Sequence, residues 1–420
     1  MALPEILRNR NFSFYWSGVI LSEIGTRGTT ATVLFHVYQL TGSLVHTGLV
    51  GASQAIAILV LSPLGGVYAD RLDRKRLLQA TQSVAMLVSL GLTIATATGV
   101  VTTSMIYIAV ILATAAATFD APARQAIIPA MVPRGQLPQA FALLNPSREL
   151  AVLVGPGIAG VLIALGGPEL MYGFDVVTFG VMVVMLAFVK VPKLPGAPKH
   201  EPLLRQIGVG FSFIRHRSVI WMLMSLDLSA TIFSAYRVLL PALAIDVLDV
   251  GSVGYGVLVA APSAGALLAA YTIFRLVTRS EKLGWVLLPA TVLYGGAAIM
   301  LAHAGPFWIA LPACLLLGAF DAVTTTIRHA AVQLETPDGV RGRVTSVYQM
   351  ASRGGPAIGD ALMGKVAASF GPVVSLTIGG ILTALYALAF VTRANPVREY
   401  AGAKASSQLE SSEKLGPAKK

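Results

Sequence analysis

The sequence predicts an all-α integral membrane protein, with twelve transmembrane helices in two pseudo-symmetric six-helix halves. Three observations predict it. Hydrophobic residues make up 55% of the 420 residues and Asp, Glu, Lys and Arg only 12%, about half the charge of an ordinary soluble domain, and the mean hydropathy is +0.73. Apolar stretches of about 20 residues, the length that crosses a hydrocarbon core, recur along the whole chain. Charge collects in the short connections between them, and the basic connections alternate with neutral or acidic ones.

In chain order the spans are expected at 12–40, 43–69, 76–99, 103–130, 138–165, 170–190, 218–245, 250–276, 283–303, 306–330, 343–370 and 372–393. A short polar segment with Arg8 and Arg10 precedes the first. That first apolar stretch is too long for a cleaved signal peptide and reads as a span. Connections after spans 2, 4, 6, 8 and 10 hold basic residues such as Arg74, Arg134, Lys199, Arg279 and Arg341, whereas the odd-numbered connections hold no Lys or Arg. Basic loops stay inside the cell, so both termini and the middle loop are expected in the cytoplasm. The net charge of +11 then belongs to loops facing the cytoplasm and argues against nucleic acid as a partner. The lone Cys314 sits in an apolar run, where it reads as a small buried hydrophobe.

The organisation follows: residues 1–190 as one six-helix half, 191–217 as a cytoplasmic linker, 218–393 as the second half and 394–420 as a disordered tail. The linker opens with Pro192, Pro195 and Pro198. It continues with Leu203, Leu204, Ile207, Phe211 and Ile214 at helical spacing, an amphipathic helix expected at the membrane interface. The halves repeat weakly: Phe119-Asp120-Ala121 recurs as Phe320-Asp321-Ala322, and Gly155-Pro156 recurs as Gly355-Pro356. Two halves of matching polarity are the pattern of a transporter that rocks around a central site.

Charges inside spans are costly in hydrocarbon unless they face a cavity or a partner. Span 1 carries Glu23 and Arg27 and span 4 carries Asp120 and Arg124, each pair four residues apart on one helix face. Arg148 and Glu149 follow in span 5, Asp227 and Arg237 in span 7, Asp321 and Arg328 in span 10, and Arg353 and Asp360 in span 11. Buried carboxyls can load and release protons, which makes Glu23, Asp227 and Asp360 the candidates for proton coupling. Asp120, Arg124, Asp321 and Arg328 are expected to form a gating network. Arg27, Arg148, Glu149, Tyr236 and Arg237 are expected to line a substrate cavity, and Phe35, Met224 and Tyr348 either line it or pack. His36 reads as a satisfied polar residue. No metal-ligand cluster, phosphate-binding Gly-Lys-Ser/Thr loop or nucleophile–base pair stands out, so no cofactor and no enzymatic activity are expected.

After span 2 the chain reads Gly66-Val-Tyr-Ala-Asp70-Arg71-Leu-Asp73-Arg74-Lys75-Arg76. This resembles the cytoplasmic loop signature of the major facilitator superfamily, with Asp73 where that family prefers Gly. The resemblance implies a latch between the halves built on Gly66, Asp70, Arg71 and Arg74. Gly155-Pro156-x-x-Ala159-Gly160 resembles the Gly-Pro element of that superfamily's drug:proton antiporters, with Ala159 at one Gly position. The stretch from Phe119 to Asn145, with Asp120, Arg124, Pro129 and Pro133, is similar to the branch that includes macrolide efflux proteins and the enterobactin exporter. The resemblance implies the major facilitator fold, a cavity lined mainly by spans 1, 4, 7 and 10, and proton-coupled efflux of amphipathic small molecules, a drug or a siderophore. It implies the cytoplasmic membrane of a bacterium as location, protons and membrane lipid as partners, and function as a monomer. A lipid or lysophospholipid transporter of the same superfamily, or a membrane protein that does not transport, are the alternatives.

Overall fold

The structure, a computed structural model, describes residues 5–71, 73–191, 203–280, 282–392 and 395–400. Its helices are α1 (Arg10–Thr41), α2 (Leu44–Arg71), α3 (Arg74–Ala97), α4 (Thr103–Met131), α5 (Leu137–Gly166) and α6 (Pro168–Phe188). After the linker come α7 (Leu203–His216), α8 (Ser218–Phe233), the short α9 (Leu240–Ala242), α10 (Gly251–Arg279), α11 (Gly284–Ala302), α12 (Phe307–Leu334), α13 (Asp338–Phe370) and α14 (Pro372–Val391). Local chemistry sets several of these ends. Asn9 caps α1 by accepting from the backbone N–H groups of Asn11 and Phe12, and Thr102 caps α4 through Met105. Gly42 closes α1 at φ 58°, a left-handed conformation that glycine adopts without strain.

Among the described residues, ten helices are long and apolar enough to cross a membrane. Helices α1 and α13 have 32 and 33 residues and are too polar to pass by apolarity alone. Glu23 and Arg27 lie on the first, and Arg353, Asp360 and Lys365 on the second. Both are covered by neighbouring helices on several sides, which is where a polar helix belongs in a membrane bundle.

Packing within the first half pairs α1 with α5 and α6, α2 with α4, and α3 with α4 and α6. The second half repeats the scheme: α8 with α13 and α14, α10 with α12, and α11 with α12 and α14. The halves meet along α2–α13 and α5–α10, two seams that a twofold axis between the halves would exchange. Small residues let backbones approach at both seams. A Cβ placed on Gly160 would lie 2.6 Å from the Ser252 carbonyl, and one on Gly48 would lie 3.0 Å from the Cα of Gly364.

Three local expectations are corrected. Span 7 is not continuous over 218–245. Helix α8 stops at Phe233, the chain turns through Ser234–Tyr236, and a wide turn over Leu243–Val247 completes the crossing. Pro241, in the first turn of α9, has no N–H to continue a helix from above. Helix α7 forms at the expected place, but part of its apolar side packs on protein: Ile214 is buried and Ile207 packs with it against Val344 and Val347 of α13, while Phe211 stays exposed. The tail does not leave the bundle at 394. Val397 and Tyr400 are buried against α11, and the Gly284 N–H donates to the Tyr400 carbonyl at 3.3 Å. The linker prolines and residues 401–420 lie outside the described residues.

Candidate functional site

A central cavity of about 1180 Å³ runs between the halves. Its wall draws on α1, α2, α3, α4, α5, α6 and α13, with Arg237 from the broken span 7 and Ile207 from α7. Gln125, Gly339 and Arg343 place its mouth at the end of the bundle where the basic connections lie. The opposite end is shut by contacts between the halves. Phe35 of α1 stacks on Tyr255 of α10 at 5.2 Å, and the Tyr255 hydroxyl donates to the Ala31 carbonyl at 2.8 Å. The Tyr38 hydroxyl donates to the Asp246 carboxylate. The buried cluster around these residues joins α1 to Val238–Ala244 and α10. One face is open and the other closed.

The two helical charge pairs expected in the first half merge into one network. Arg124 is buried and pairs with Asp120 one turn away and with Glu23 at 3.6 Å. Glu23 also meets Arg27 at 3.6 Å and Arg148 at 3.3 Å, so it faces three arginines. Asp120 accepts further bonds from Thr81 and Gln82 of α3 at 3.1 and 2.7 Å. All of these residues touch the cavity.

In the second half the pairing runs between helices. Arg328 of α12 pairs with Asp227 of α8 at 2.5 Å, and its Nε donates to the Tyr348 hydroxyl at 2.8 Å. An acid on span 7 bound to an arginine on span 10 repeats the Glu23–Arg124 link between spans 1 and 4. Asp321 lies with Asp227 and Arg328 around a separate cavity of about 10 Å³, room for one water molecule. Asp360 and Arg237 both line the main cavity.

Three comparisons bear on this arrangement. The model of the transmembrane secretion effector family, one of the major facilitator families, matches residues 4–416. The chain belongs to this family. Among relatives it is 30% identical to the enterobactin exporter EntS of Shigella boydii over 364 residues, 86% of each chain. It is 29% identical to that of Citrobacter koseri over 366 residues, again 86% of each. In fold it is similar to the nucleoside transporter NupG (TM-score 0.70, 15% identity, 91% of this chain and 98% of that one). It is likewise similar to a bacterial homologue of the iron transporter ferroportin in an inward-facing state (TM-score 0.70, 16% identity, 91% and 100%). The protein is a multi-pass membrane transporter of the major facilitator type and not an enzyme.

Against that background the family motifs fall into place unevenly. The side chains of Gly66, Asp70 and Arg71 lie outside the described residues. Arg74 donates to the Ala126 carbonyl of α4 at 3.4 Å. Asp73, at the position where the family prefers Gly, accepts from the Arg76 N–H at 3.0 Å and caps α3 with φ −60°. This turn needs no glycine. Gly155 packs on α1, where a Cβ would lie 2.7 Å from the Ile24 carbonyl, and Pro156 and Gly160 pack on Gly256 of α10. The motif therefore sits where the seam between the halves meets α1.

Two of the residues expected at the cavity are not there. Glu149 is exposed and is not part of the cavity wall, because one step along α5 from Arg148 turns the side chain away. Tyr236 packs against the core that closes the other end. Phe35, Met224 and Tyr348 are likewise buried in packing, and His36 shares a hydrogen bond of 3.1 Å with Tyr172.

The residue that sequence reasoning missed is Asp175 of α6. It is buried, lines the cavity and accepts from Thr29 of α1 and Ser89 of α3, both at 2.8 Å to Oδ2. Among the described residues it has no cationic partner. Gly25 makes room for it: a Cβ there would collide with Oδ1 and with Thr178. A lone acid inside an apolar run was the available signal, and it belongs to no motif.

Proposed function

We propose that the protein is a proton-driven exporter of amphipathic small molecules in the cytoplasmic membrane of a bacterium. The basic end of the bundle faces the cytoplasm with both termini. The observation that supports this best is the cavity itself, large, open at the basic end and sealed at the other by contacts between the halves. Such a cavity can collect a solute from the cytoplasm or the inner leaflet. Rocking of the halves about the α2–α13 and α5–α10 seams, with the 191–217 linker between them, would then open it outward.

Coupling needs an acid that alternates between protonated and charged forms. Glu23 and Asp227 have their charge balanced by arginine, and we assign them to the arginine network that rearranges as the halves move. Among the described residues Asp175 has hydroxyl partners and no cationic one, so no fixed arginine balances its charge. With Asp360, which makes no ion pair among the described residues, it is the proton carrier of this reading. Asp120–Arg124 and Asp227–Arg328, with Asp321, are the gating pairs. Gly66, Asp70, Arg71 and Arg74 act as a latch when the basic end closes.

The experiment is efflux from everted vesicles against a panel of dyes, drugs, siderophores and lysophospholipids, with and without a pH gradient. Export of at least one soluble compound that collapses with the gradient is the expected result. Movement of lysophospholipid alone would replace the reading with lipid transport, and the absence of any gradient-dependent movement would overturn it.

A further inference from the structure

The arginines of this protein are unevenly matched with acids. Arg124 has Asp120 and Arg328 has Asp227, while Arg237 shares the cavity wall with Asp360. Three others on the cavity wall are not so balanced. Arg27 of α1 and Arg148 of α5 share Glu23, which already serves Arg124. Arg353 of α13 has no ion pair or hydrogen bond among the described residues, and the charges acting most on it are those of Arg27 and Arg148, with Glu23 the one acid. Arg27 and Arg148 belong to the first half of the bundle and Arg353 to the second. The side chains of Arg27 and Arg148 are 48% and 36% exposed, and all three residues face the cavity.

Three guanidinium groups that share one cavity wall inside a membrane repel one another in a medium that screens poorly. An anion between them removes that cost. Guanidinium presents a planar fork that fits a carboxylate or phosphate through two parallel hydrogen bonds. The same wall, polar at many positions, also carries Ile58, Leu92, Phe179 and Met350, apolar surface for the rest of an amphipathic body.

We propose that Arg27, Arg148 and Arg353 form an anion subsite of the cavity, which takes the carboxylate or phosphate group of an amphipathic solute and bridges the two halves through it. The proposal rests on reading this cavity as the transport cavity and narrows its substrate class to amphipathic anions. Because Arg353 comes from the opposite half, binding draws α13 toward α1 and α5.

The test is equilibrium binding of dansylglycine and of dansylglycinamide, which differ only in the carboxylate. The full chain is placed in nanodiscs of phosphatidylcholine, with empty discs as the baseline. Wild type is expected to favour dansylglycine by about tenfold or more, the scale of a hydrogen bond to a charged group. Arg353→Gln should erase most of that preference, and Arg353→Lys should keep part of it while showing that the position tolerates change. Equal binding of both probes to wild type, or an undiminished preference in both Arg353→Gln and Arg27→Gln, overturns the subsite. Adding phosphatidylglycerol to the discs separates the sources. Displacement of dansylglycine identifies a lipid headgroup as occupant, and retention identifies a soluble anion; both support the subsite. Binding needs no turnover, so a carboxylate preference without gradient-driven efflux sinks the export reading alone. Efflux without the preference sinks the subsite alone.

Discussion

Replacing Gly160 by leucine should tip the transporter out of the conformation described here. A Cβ at Gly160 would lie 2.6 Å from the Ser252 carbonyl and 3.1 Å from the Cα of Gly256, and both neighbours are backbone atoms that cannot rotate away. Reaching an ordinary contact of 3.4 Å separates α5 from α10 by about 0.8 Å at the closed end. The rest of the leucine side chain adds to this. Overpacking of this kind costs about 1–3 kcal/mol, which in a two-state equilibrium is a shift of about 5- to 150-fold. The cost falls on the state in which that end is shut, so the outward-open state gains. The only native cysteine, Cys314, is buried, and a Cys314→Ala background makes cysteine labelling clean. With an impermeant maleimide, Thr345→Cys on the cavity wall should label more slowly when Gly160→Leu is added. Ala31→Cys, beneath the closed end, should label faster. Unchanged rates at both positions in a protein that still elutes as a single species would refute the argument that this seam holds the closed end together.

Other outcomes follow from the charged groups. Asp175→Asn should preserve exchange of substrate down its gradient while abolishing the response of efflux to a pH gradient; full gradient-driven efflux in that variant removes Asp175 as carrier. Asp227→Asn leaves Arg328 buried without its paired acid, a loss of about 3–5 kcal/mol, and should lower the melting temperature in detergent. Asp227→Asn with Arg328→Gln should recover part of the loss, and a single variant that melts like wild type contradicts the pairing. Tyr38→Phe removes the hydroxyl bound to Asp246, a charge-assisted bond worth about 1.5–3 kcal/mol. Faster labelling of Ala31→Cys should report the loosened end, whereas no change would show that the bond carries no share of the closure.

The bundle was legible in the sequence because two signals are long-range and redundant: the apolar stretches repeat, and Lys and Arg keep to alternate connections. Helices α1 and α13 carry several charges, yet the apolar residues around those charges still mark both as spans. The site was legible in part. Glu23, Arg27, Asp120, Arg124 and Arg148 stood out as charges in hydrocarbon, and helical spacing gave the pairs within one helix. Pairing between helices depends on tertiary approach, which spacing does not encode. Hence Glu23 gained Arg124 and Arg148, and Arg328 took Asp227 from α8. Asp175 escaped because its partners Thr29 and Ser89 come from two other helices and none is charged. The break in span 7 left only Pro241 as a trace. Asp73 looked like a departure from a motif, and its role as a helix cap appears only once the backbone of that turn is known.

The central claim is that one cavity opens alternately at two ends as the halves rock. Spin labels at Arg134→Cys and Gly339→Cys report the distance between halves at the basic end, and labels at Val100→Cys and Gly305→Cys report it at the other, both in the Cys314→Ala background. On acidification the two distance distributions should shift reciprocally, one pair drawing together as the other moves apart. Distances that stay fixed, or that lengthen and shorten together at both ends, would contradict alternating access in this protein.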